Sequence, residues 1–149
     1  MRTATVGLFV MLSAAMLSAH VTVQPKESTA GSAQQYTVRV PAETAAPSLS
    51  VELEVPAGIV VKDVPTGAGY SVDTRREGGR IVAITWKQEI KPKESASFVF
   101  TAVNPAAAGE ITWKAHQRYA DGTIVHWIGV EGDRRPASVT RIQPPLRAN

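Results

Sequence analysis

Tyr36-Thr37-Val38-Arg39-Val40-Pro41 and Leu49-Ser50-Val51-Glu52-Leu53-Glu54-Val55 decide the fold class. In the first stretch Tyr36, Val38 and Val40 alternate with Thr37 and Arg39. In the second, Leu49, Val51, Leu53 and Val55 alternate with one serine and two glutamates. A period of two places the apolar residues on one face of an extended strand and the polar residues on the other.

The same pattern continues outward along the chain. Further strands are expected at Ile59 to Val64, Tyr70 to Arg75, Arg80 to Lys87 and Ser95 to Val103. Arg80 to Lys87 offers Ile81, Ala83 or Ile84, and Trp86 to a core. Glu110 to Tyr119, Thr123 to Ile128 and Ala137 to Ile142 complete the set. Gly78-Gly79 and Asp121-Gly122 sit between strands, and Asp-Gly is a strong hairpin signal. Ten prolines are spread along the chain, and no helical periodicity interrupts the strands. Many short strands with regular turn signals indicate an all-β single domain, a β-sandwich with a barrel as the alternative. No repeat or second domain is visible.

The first residues follow a different rule. Met1-Arg2-Thr3 carries one positive charge, an uncharged apolar run extends from Val6 to Leu17, and Leu17-Ser18-Ala19 ends in small residues. That order is the signature of a cleaved secretory signal. The run is short for a bilayer span, which takes about 20 residues. Cleavage after Ala19 leaves residues 20–149 and makes His20 the first residue; cleavage after Ala15 is the competing position. The whole chain carries 16 Lys and Arg against 13 Asp and Glu. Loss of Arg2 leaves 15 − 13 = +2 on the mature side chains. The basic residues are scattered and not interleaved with aromatics, which argues against nucleic acid. The absence of cysteine is compatible with a periplasmic location and excludes thiolate chemistry.

A histidine at a chain terminus offers its α-amino nitrogen and its imidazole to one metal. Nitrogen and oxygen donors in a tetragonal arrangement favour Cu(II), which heads the divalent affinity series. The bland alternative is that His20 merely starts an edge strand. A carboxylate would complete the donor set, and Glu27 and Glu43 are the nearby acids. Glu43 follows the end of a strand, whereas Glu27 lies in the polar stretch Pro25-Lys26-Glu27-Ser28, which reads as solvated surface. The pattern alone does not choose between them. His116 should point away from the face of Ile111, Trp113 and Ala115, toward solvent. His126 and Trp127 should face opposite ways. Trp127 is either ordinary core or a ring closing over a metal. No GxSxG elbow, HExxH pair or glycine-rich phosphate loop occurs, so an enzyme is not expected.

Several of these pieces occur together in one known family. His20-Val21-Thr22-Val23-Gln24-Pro25, Ala30-Gly31-Ser32, Tyr36 through Glu43, Val51 through Pro56, and Trp113 through Tyr119-Ala120-Asp121-Gly122 to Trp127-Ile128-Gly129 resemble the YcnI-like family of exported copper-binding domains. They span nearly all of residues 20–149. The resemblance implies an immunoglobulin-like β-sandwich that binds Cu(II) through the terminal histidine and a glutamate, with a tryptophan beside the metal. Carried over, these are His20, Glu43 in the VPxE segment, and Trp127, with Glu27 as the second choice for the carboxylate. Gram-positive members often carry a C-terminal membrane anchor. No such segment is visible here, so a free periplasmic form is expected, with any copper-delivery partner a separate protein. The implied role is storage or transfer of Cu(II) in copper homeostasis. The alternatives are an oxidative copper enzyme, which would need a second imidazole from His116 or His126, and a metal-free adhesive or structural sandwich.

Overall fold

In the computed structural model residues 19–147 are described. The expected signal sequence, apart from Ala19, lies outside the described residues. Twelve strands and no helix occur among the described residues. They are β1 (Thr22–Gln24), β2 (Glu27–Thr29), β3 (Ala33–Pro41), β4 (Ser48–Glu54), β5 (Val60–Asp63), β6 (Ser71–Glu77), β7 (Arg80–Ile90), β8 (Ser95–Val103), β9 (Gly109–Trp113), β10 (Ala115–Tyr119), β11 (Ile124–Trp127) and β12 (Ser138–Gln143). They form sheets ordered β1-β3-β8-β5, β11-β10-β4-β7-β6 and β2-β12-β9. Each sheet keeps two edges, so the chain forms a sandwich and not a closed barrel.

The core lies where the alternation places it. Phe98, Phe100 and Ala102 of β8 are buried, as are Tyr36, Val38 and Val40 of β3 and Val51 and Leu53 of β4. Trp86 of β7 stacks on Phe98, with centroids 5.5 Å apart and planes 13° apart. That contact joins two sheets. Phe100 meets Tyr36 at 5.4 Å and Trp113 at 5.7 Å, and so reaches the third sheet. Offset and edge contacts of this kind add to the area that the rings bury. The Trp113 indole N–H donates to Thr140 Oγ1 at 3.0 Å, satisfying its polar atom inside the core.

Four details differ from the sequence expectation. Leu49 is 36% exposed while Ser48 is fully buried. A register shift between Ser48 and Ser50 moves the leucine off the core face. Ala83 and Ile84 are both buried, so the choice between them disappears. The stretch from Glu110 to Tyr119 forms two strands, divided at Lys114, whose carbonyl accepts from Glu54 N–H. The part before Lys114 pairs with β12 and the part after it pairs with β4 and β11. Finally, Glu27–Thr29 is a strand, parallel to β12, and not simply solvated surface. Asn104 anchors it by donating from Nδ2 to Ser28 Oγ at 2.7 Å and to the Thr29 carbonyl at 2.8 Å. Neither contact has a local sequence signal.

Phe100 contacts rings from all three sheets, so its removal leaves a cavity that no single strand can close. Phe100→Ala should cost about 3–5 kcal/mol, read as a lower urea midpoint. A loss below about 1 kcal/mol would show that the ring cluster does not join the sheets.

Candidate metal centre

Strand alternation on β10 and β11 sorts the side chains of this region. Gln117 and Trp127 point into the sandwich, 0% and 5% exposed. His116 and His126 point outward from the opposite face. The Gln117 amide is buried and has to be hydrogen-bonded. Its Oε1 accepts from Trp127 Nε1–H at 3.1 Å. Its Nε2 donates to the Pro41 carbonyl at 2.8 Å and to Ser48 Oγ at 2.9 Å. One side chain therefore ties the Trp127 indole to the end of β3 and the start of β4.

His20 reaches the same place from the other direction. β1 is antiparallel to β3, with Thr22 opposite Arg39. Two more residues of that register set His20 opposite Pro41. The half-buried His20 ring lies against Trp127, with centroids 5.5 Å apart and planes tilted by 51°. Thus Trp127 is core, as one reading of the sequence expected, and it also borders the His20 ring.

Glu43 follows the end of β3. β3 pairing ends at Pro41, and Ala42 is held by its N–H to the Glu94 carbonyl and by its own carbonyl to Lys93 N–H. Glu43 is the first residue after that anchor, with its side chain exposed. Its backbone is hydrogen-bonded to the phenol of Tyr119, which is 2% exposed. Burial pushes the Tyr119 pKa up, chiefly by disfavouring the phenolate; the Glu43 backbone bond acts the other way. Glu27 lies elsewhere. β1 leads away from His20, and the four residues from Val21 to Gln24 cover about 13 Å at about 3.3 Å each. Glu27 then sits opposite Arg141 on β12. The structure therefore sets His20 against Trp127, places Glu43 two residues beyond Pro41 at the end of β3, and carries Glu27 to β12.

The two other histidines meet each other and not His20. His116 Nδ1 and His126 Nδ1 are 2.7 Å apart, and His116 Nε2 is 2.8 Å from Glu54 Oε2. The outward direction agrees with the sequence expectation, but the pairing with Glu54 was not foreseen. Among the described residues no three His, Asp or Glu side chains converge as a metal-holding group. Gln117 was also missed. Its signal was available: it continues the Ile111, Trp113, Ala115 face as a lone polar residue.

Gln117→Leu keeps the volume but strands the indole N–H and the Pro41 carbonyl. It should cost about 1–3 kcal/mol for each buried group left unpaired, measured by urea unfolding. The Trp127 indole proton should also shift in the NMR spectrum. An unchanged indole signal would contradict the tie.

The family model described as a domain of unknown function, DUF1775, matches residues 20–145. The copper-binding protein CutI of Bacillus subtilis (strain 168) is 38% identical over 128 residues, which cover 84% of this chain. The chain spans only 63% of that relative's length. Among solved structures, a protein from Nocardia farcinica with an immunoglobulin-like fold superposes with a TM-score of 0.69, at 23% identity, covering 84% of this chain and 99% of that one. A cohesin module from Clostridium perfringens follows at a TM-score of 0.55 and 13% identity, covering 85% of this chain and 98% of that one. These two likenesses concern the fold. The sandwich is immunoglobulin-like, and the chain belongs to the DUF1775 family of YcnI-like domains.

Proposed function

We propose that the mature protein is a periplasmic Cu(II)-binding protein that stores or hands over the ion, with the chelate centred on His20. The observation that carries this reading is the His20 ring held against the buried Trp127. Two comparisons support it: the family match begins at His20, and the relative CutI is named for copper binding. His20 contributes its amine and imidazole, and Glu43 contributes an oxygen. This nitrogen-rich set with one hard oxygen suits Cu(II). Copper supplies no chemistry in this reading beyond being bound and released; it is cargo.

The protein's own residues set the terms of that binding. Trp127 walls one side of the His20 ring and limits how many ligands solvent can add. Gln117 fixes the indole, so the wall is rigid. Glu43 projects from a backbone pinned at Ala42 and at Tyr119, and a carboxylate there lowers the net charge of the bound ion. Cleavage after Ala19 is part of the chemistry, because an internal His20 has an amide nitrogen in place of an amine. Open access to the site suits exchange with a second copper protein in the same compartment. The oxidative-enzyme alternative needs another imidazole at the metal, and the outward His116–His126 pair lies on the opposite face from Trp127.

The α-amino group must lose its proton to bind, and such groups titrate near about 7.7–8.0. Apparent Cu(II) affinity should therefore rise about tenfold per pH unit for each displaced proton below that range, and flatten above it. Isothermal titration across pH 5.5–8.5 (about the span of that titration) should show one tightly held Cu(II) per chain. Glu43→Gln should weaken it by about tenfold or more, while Glu27→Gln should leave it unchanged. The reverse pattern would move the oxygen donor to Glu27, and pH-independent affinity would remove the amine from the site.

A further inference from the structure

The outward face of the β10–β11 hairpin holds a second group of donors. His116 and His126 are directly opposite each other in the antiparallel register. Their rings are 4.9 Å apart at 72°, and the two Nδ1 atoms approach to 2.7 Å. Glu54 Oε2 lies 2.8 Å from Nε2 of His116, on the far side of that ring. A carboxylate there accepts the Nε2–H and leaves Nδ1 of His116 with its lone pair. The only proton between the two Nδ1 atoms is then the one on His126.

We infer that His116 and His126 form a second, weaker divalent-cation site on this face, closed by both Nδ1 atoms and oriented by Glu54. Metal-bound histidines commonly donate their other ring N–H to a carboxylate, and Glu54 already stands in that relation to His116. With metal–nitrogen bonds of about 2.0–2.1 Å, nitrogens 2.7 Å apart subtend about 80° at a shared ion. That is near a cis angle, which a small turn of the His126 ring adjusts, and imidazole donors of this kind bind Cu(II) most strongly among the divalent ions. The exposed His126 ring turns so that both lone pairs meet off the line joining the nitrogens. Its proton moves to Nε2 through solvent, so binding releases no net proton.

Solvent supplies the remaining ligands, because no third side chain converges here among the described residues. Affinity is correspondingly modest. Glu52, paired with His116 in the β10–β4 register, adds negative charge on one side. On the other side Arg134 and Arg135 line a shallow depression shared with His126 and Asp133. The site lies on the opposite face of β11 from Trp127, so the two sites can be occupied independently. A face that takes up a weakly held ion next to a tightly binding rim gives a copper-transfer protein an entry point, although the chemistry of the pair does not require that role.

The test uses the chain beginning at His20 with its α-amine acetylated, which disables the first site, and the same chain with the amine free. Cu(II) is the probe, followed by paramagnetic broadening of the imidazole ring protons in NMR. In the acetylated chain, one weakly held equivalent should broaden His116 and His126. In the free-amine chain the same broadening should come with the second equivalent. His126→Ala should weaken this binding at least tenfold, and Glu54→Gln by about tenfold, without altering the first equivalent. Sharp His116 and His126 signals at excess Cu(II), or equal uptake by a His116→Ala/His126→Ala variant, would overturn the inference and show a hydrogen-bonded pair only. A failure at the first equivalent would instead count against His20.

Discussion

A buried amide dominates the end of this sandwich. Gln117 is fully enclosed, and an enclosed amide that loses a partner costs about 1–3 kcal/mol. Its three hydrogen bonds therefore act as a constraint on everything around them. Trp127 has to bring its indole to Gln117, Pro41 has to turn its carbonyl inward, and Ser48 has to leave the exposed face of β4. The register shift that buries Ser48 and exposes Leu49 follows from the same requirement. β1, paired with β3 up to Thr22 opposite Arg39, is preceded by His20, whose ring lies against the indole. The rim is thus assembled by a core polar residue that need not touch a metal.

The β10–β11 hairpin separates two chemistries by strand alternation alone. Its inner face carries Gln117 and Trp127, and its outer face carries His116 and His126. Imidazoles are consequently divided between an inner rim holding one and an outer face holding two. In the proposed chelate the shortage of imidazoles at the rim is made good by a backbone nitrogen. In that proposal, removal of residues 1–19 creates the ligand and confines tight binding to the processed chain.

Much of this was legible in sequence because it depends on local periodicity. The alternation at Tyr36–Val40 and Leu49–Val55 located two strands and the core face of β3. The Asp121-Gly122 turn marked the hairpin that carries Trp127. The opposite directions of His126 and Trp127 followed from strand geometry. What escaped were contacts between residues far apart in the chain. Asn104 holding Ser28 and Thr29 makes a strand of a segment whose composition is merely polar. The bulge at Ser48 and Ser50 breaks the parity that made Leu49 look buried. The break at Lys114 follows from its strand changing partners between sheets. His116 and His126, ten residues apart, become neighbours only through the hairpin, and Glu54 joins them from a third strand. The choice between Glu43 and Glu27 was open in sequence because both lie near His20 along the chain; in space, Glu27 joins β12 while Glu43 follows the end of β3.

The dependence of copper binding on a free terminal amine can be read by comparing two forms of the chain that begins at His20. One has a free α-amine and the other is acetylated there. Cu(II) affinity measured by competition with a chelator of known strength should fall by at least about 100-fold (about 2.7 kcal/mol) on acetylation. The nitrogen hyperfine pattern in the electron paramagnetic resonance spectrum should change with it. Equal affinity and an identical spectrum for the two forms would contradict a chelate built on the amine of His20.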